Sequence, residues 1–117
     1  MEETNHKYNL LINSLKVMSM PYKEQKIFMT DFVVLPFEVI NDFENAFVLL
    51  PQLIDDGIFS IDEIADLLRI HLQIDQNCRN PELEDLDEKQ FEEHPDWELL
   101  RTMARDVLSK IEKSEQA

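Results

Sequence analysis

Residues 36–72 read PFEVINDFENAFVLLPQLIDDGIFSIDEIADLLRIHL, and the period of their apolar positions decides the fold. Val39, Ile40, Phe43, Ala46, Phe47 and Leu50 recur at helical spacing, with Glu38, Asn41, Asp42 and Asn45 on the other side, so a helix is expected from Glu38 to Leu50. Pro51 interrupts this stripe, although Leu53 and Ile54 would continue it. Inside a helix, Pro51 would remove the bond to the Phe47 carbonyl and clash with it, at a cost of ~3 kcal/mol, so a break is expected there. Gly57, the only glycine in the chain, stops the short turn that Pro51 opens. Ser60-Ile61-Asp62-Glu63 is a capping box: the serine oxygen accepts from an orphan amide and Glu63 reaches back. The helix it starts runs to about Gln76. Its apolar residues (Ile61, Ile64, Leu67, Leu68, Ile70, Leu72, Ile74) cover roughly 220° of the wheel, far more than a surface stripe, which predicts a central helix flanked on more than one side.

Toward the N-terminus, Tyr8, Leu11, Ile12, Leu15 and Met18 mark one face of a first amphipathic helix ending near Ser19. Pro21 suits the first position of a short second helix, PYKEQKIFM. Pro36 closes the connection to the next helix, and a short strand at Phe32–Leu35 remains an alternative for the residues before it. Toward the C-terminus, residues 79–94 read as an acidic loop. Pro95 opens the last helix, with Trp97, Leu100, Ala104, Val107, Leu108 and Ile111 as its stripe and cations in its later turns, where they suit the dipole. Residues 113–117 are expected to fray. The expectation is an all-α single domain over 1–117, a bundle of about five helices.

The chain has 117 residues and a net charge of −14. That length buries a core without disulfide or metal staples, and the lone Cys78 excludes an internal disulfide. The charge argues against direct binding of nucleic acid or an anionic membrane, since phosphate contacts need lysine and arginine. It favours a basic protein partner or a cation, or serves solubility alone. The sequence MEETNHKYN lacks a basic segment before an apolar one, and no apolar run approaches the ~20 residues of a membrane span, so the cytoplasm is the expected location.

Few groupings suggest chemistry. His71 and Asp75, one turn apart, have the spacing of metal ligands or a nucleophile-activating pair, but the expected reading is a core histidine satisfied by a nearby carboxylate. HExxH and di-iron carboxylate patterns are missing. Cys78 lacks the rest of a thiol site, so packing at a helix end is the expectation. Asp85 and Asp87 have the spacing of a calcium loop, but Lys89 takes the next ligand place and the turn glycine is lacking. No cofactor and no catalytic activity are expected. What remains is the anionic surface. From Ile27 to Leu68 there is no lysine or arginine against nine acids. Asp55, Asp56, Asp62 and Asp66, with Glu63, cluster about the turn before the fourth helix. A second cluster comprises Glu82, Glu84, Asp85, Asp87, Glu88, Glu92 and Glu93, followed by Trp97 as a candidate aromatic anchor.

The runs DFENAFVLLPQLIDDGIFS, LLRIHLQID and NPELEDLDEKQF resemble small acidic helical bacterial proteins of toxin–immunity loci, including those of contact-dependent growth inhibition. The resemblance spans roughly Tyr8 to Leu108. It implies a cytoplasmic antidote that binds one cognate toxin domain, often a nuclease, and it carries over no set of functional residues. The two acidic clusters are assigned to partner binding from charge alone. A helical adaptor or regulator working through an apolar groove is the alternative, and an enzyme or metal protein centred on His71 and Asp75 is a third.

Overall fold

The computed structural model describes residues 2–21, 23–25, 35–79 and 92–116. It is an all-α single-domain bundle, with no strand among the described residues. The helices are α1 (Glu2–Ser19), α2 (Leu35–Phe47), α3 (Leu50–Asp55), α4 (Ile61–Arg79) and α5 (Pro95–Gln116). Between α1 and α2, Pro21 opens a helical turn, its carbonyl accepting from the amides of Glu24 at 2.9 Å and Gln25 at 3.0 Å. The rest of the expected second helix, the Phe32–Val34 part of the strand alternative and most of the acidic loop lie outside the described residues; Leu35 is helical.

α1 is the central element: α2, α3 and α5 all pack on it, while α4 packs on α5. α1 starts at Glu2, earlier than its apolar rhythm suggests. The added residues are polar and carry no periodicity, but acids in a first turn suit the helix dipole. From α1 the core takes Leu11, Leu15 and Met18, which join one cluster with Phe43 of α2, Leu53 of α3, Leu67 and Ile70 of α4, and Ala104 and Val107 of α5. Phe43 is fully buried and its ring lies 5.6 Å from that of the half-buried Phe47.

The end of α1 is closed by side chains and by the Met20 N–H on the Val17 carbonyl at 3.2 Å. The Lys16 carbonyl accepts from Ser19 Oγ at 2.8 Å, and that of Val17 from Gln25 Nε2 at 2.9 Å. The Met18 carbonyl takes a longer contact from the same amide at 3.4 Å, and Arg105 Nε donates to the Ser19 carbonyl at 2.9 Å. These are the four carbonyls that a helix leaves without intrahelical partners. Gln25 is almost fully buried, so without it water could not readily take its place.

Pro51 ends α2 earlier than Leu50. The helix stops at Phe47, Leu49 N–H bonds back to the Ala46 carbonyl at 3.0 Å, and α3 starts afresh with Pro51 in its first turn. There the missing N–H has no intrahelical acceptor to serve, so the break avoids the penalty of a mid-helix proline. α3 ends in a Schellman motif, with Ile58 N–H on the Leu53 carbonyl at 3.1 Å and Gly57 N–H on that of Ile54 at 2.9 Å. Gly57 takes φ 71°, the left-handed conformation this closure requires.

The capping box of α4 forms as expected, with Ser60 N–H on Glu63 Oε1 at 2.8 Å and Glu63 N–H on Ser60 Oγ at 3.2 Å. The enclosure expected of α4 does not. Leu67, Ile70 and Ile74 are buried, but Ile61 is 85% exposed, Leu72 59% and Leu68 45%. Among the described helices only α5 packs extensively on α4, and it does not cover so wide an arc.

Two substitutions check this arrangement by urea denaturation. Phe43→Ala should cost ~3–5 kcal/mol, and Phe47→Ala less, because Phe47 is already part-exposed. Gln25→Ala should cost about 1–3 kcal/mol by taking a buried donor from the Val17 and Met18 carbonyls, although Met20 N–H still serves that of Val17; a neutral result would show that end open to water.

Candidate functional site

The first acidic cluster is built by the closure just described. α3 ends at Asp55, the Schellman turn carries Asp56, and the capping box sets Asp62 on the first turn of α4. All three are exposed. Asp66 departs from this group. Its Oδ1 takes Arg69 Nη1 at 2.8 Å and its Oδ2 takes Lys110 Nζ at 2.6 Å, joining α4 to α5. The hydrogen bond to Asp66, with the nearby charges of Asp66 and Asp62, raises the Lys110 pKa. Asp66 therefore belongs to the seam between two helices. Glu63 is buried in the cap and is likewise no part of the exposed cluster.

Of the second cluster, Glu92 and Glu93 are exposed; Glu82, Glu84, Asp85, Asp87 and Glu88 lie outside the described residues. Trp97 corrects an expectation. It is 7% exposed and part of the core, where it anchors α5 to the bundle. Its place on the α5 stripe, in line with Leu100, Ala104 and Val107, already signalled burial. Around it the start of α5 is heavily tied: His94 Nδ1 accepts from Asp96 N–H at 3.1 Å. The buried Arg101 donates to the Glu92 carbonyl at 3.3 Å and to Glu98 Oε2 at 3.1 Å.

His71 is not the core histidine of the sequence reading, nor is its partner Asp75. The ring is half-exposed and stacks on Phe47 with centroids 4.6 Å apart and planes 3° from parallel. Its Nδ1 lies 2.9 and 3.0 Å from the two Glu44 carboxylate oxygens, so the contact joins α4 to α2. Asp75 pairs with Arg79 at 3.1 Å. Among the described residues, no three His, Cys, Asp or Glu side chains converge as a metal site would need. Nor is any described helix long and apolar enough to cross a membrane.

Cys78 is exposed at the end of α4, not packed. Partial burial, then the charges of Asp75 and Glu44, raise its thiol pKa. That is opposite to the activation a nucleophile needs. The same anionic setting appears on α2, where burial and Glu38, one turn away, raise the Asp42 carboxyl pKa.

The surface feature that the sequence reading missed is apolar. Ile61, Leu68 and Leu72 of α4 stand exposed, and so does Val48, which follows α2 and is 72% exposed. The signal was present in the width of the α4 apolar arc and was read as burial.

The state of Cys78 is open to direct measurement. At mildly alkaline pH its alkylation by iodoacetamide should be slower than that of a free cysteine peptide, because less thiolate is present below a raised pKa. Asp75→Asn should speed it. A rate above the free-thiol value would show a stabilised thiolate.

No protein-family model, curated protein or solved structure matches the chain.

Proposed function

We propose that the protein is an immunity protein of the cytoplasm, which binds and neutralises a cognate toxin domain that is basic and of nuclease type. The observation that carries this reading is the exposed cluster of Asp55, Asp56 and Asp62 in a segment, Ile27–Leu68, that holds no lysine or arginine. A nuclease must bind phosphates and so presents a basic cleft. An acidic surface steers such a partner into encounter and fixes its register. Neutralisation of this kind is stoichiometric and asks no chemistry of the inhibitor. The resemblance carried by residues 42–60, 67–75 and 80–91 points the same way.

The test starts from the neighbouring reading frames, where a gene ending in a toxin domain is expected, and uses that domain as the partner. Asp55→Lys combined with Asp62→Lys should slow association roughly tenfold at low salt, and much less at physiological salt, where screening acts over about 8 Å. Asp66 is left intact because its reversal would disrupt the α4–α5 seam. Unchanged rates at low salt would reduce the cluster to a solubility role. A neighbouring toxin domain that the wild-type chain neither binds nor restrains would remove the reading altogether.

A further inference from the structure

We infer that the outer face of α4 is a docking stripe for a basic amphipathic helix of a partner protein. Ile61, Ala65, Leu68 and Leu72 follow the spacing i, i+4, i+7, i+11 and fall within about 60° of the helix wheel. Ile61, Leu68 and Leu72 are exposed and Ala65 is half-buried. Ile58, three residues upstream, is also exposed. Three large apolar residues in line on one helix are a surface, unlike single exposed ones scattered over a protein. The stripe is about 16 Å long, three turns at 1.5 Å per residue, which matches a short partner helix with apolar ridges laid along it.

The charge around the stripe selects the occupant. Asp55, Asp56 and Asp62 stand exposed at its N-terminal end, and Glu44 flanks it across the His71 contact. The cations nearby are Arg69 and Lys110, which share Asp66, and Arg79, which pairs with Asp75, so three cations face the six acids Glu44, Asp55, Asp56, Asp62, Asp66 and Asp75. The rim is thus net anionic and complementary to lysine and arginine. A second copy of this chain would instead bring another net −14 to the same face. The inference shares its acidic end with the toxin-binding reading but does not require the partner to be a toxin.

The probe is a synthetic helical Leu/Lys peptide titrated into isotope-labelled full-length protein, followed by NMR. Saturation at one peptide per chain is expected, with shift changes concentrated in Ile61–Leu72. Leu68→Gln with Leu72→Gln should weaken binding at least roughly tenfold while leaving the melting temperature unchanged, since neither residue is in the core. Equal binding of a Gln/Lys peptide would mean that charge alone is recognised. That result overturns the stripe and leaves the acidic-surface toxin reading standing. Equal binding of a Leu/Glu peptide, or no saturable binding, overturns it too. A wild-type dimer in sedimentation that the double variant converts to monomer would assign the stripe to a second copy.

Discussion

A helix leaves its last four carbonyls without intrahelical partners, and at the end of α1 that constraint is met by Ser19 on Lys16, by Met20 N–H and Gln25 on Val17, and by Arg105 on Ser19. Helices commonly close with a glycine in the left-handed conformation, but this chain has one glycine and uses it after α3. α1 therefore ends on side chains supplied from elsewhere: Gln25 from the following turn and Arg105 from α5. The two donors fix different things. Gln25 turns the chain back across the helix end, and Arg105 sets how far α5 slides along α1. Charge at the start of α5 helps to hold this setting, because Glu98 pairs with both Arg101 and Arg105.

α4 stands outside this arrangement. It reaches the bundle through α5, through the Asp66 contact to Lys110, and through the stack of His71 on Phe47. Among the described helices α5 is its main packed neighbour, yet α4 carries an apolar arc wider than that contact uses. Apolar side chains beyond those a helix needs for packing gain nothing from folding and raise the hazard of association. Their retention on a stripe at helical spacing is a property of the surface, separate from stability.

Much of the architecture was legible in the sequence because its signals are local. The capping box at Ser60, the break at Pro51, the stop at Gly57 and the α5 stripe each depend on residues within a few positions of one another. The misreadings involved geometry between distant parts of the chain. A wide apolar arc was equated with enclosure, but sequence periodicity gives the angle of a face and not the number of helices that cover it. His71 was matched with Asp75, its neighbour on the same helix, whereas its carboxylate, Glu44, lies on α2. Asp66 was grouped with its acidic neighbours in sequence, although Lys110, far along the chain, compensates it. Trp97 was a different error: its place in a buried stripe was visible, and the acidic residues before it were allowed to outweigh that.

The acids and the apolar stripe make sense together. A greasy face on an otherwise soluble helix invites self-association, and the simplest defence is a rim of one charge. Asp55, Asp56 and Asp62, with no base between Ile27 and Leu68, make two like faces repel at short range. The repulsion reverses sign for a basic helix, which meets attraction and an apolar seat at once. The same residues therefore raise the free energy of the wrong complex and lower that of the right one, and specificity is the difference between the two. Solubility and partner choice are then one property of this surface. Asp66, neutralised in the seam, takes no part in it.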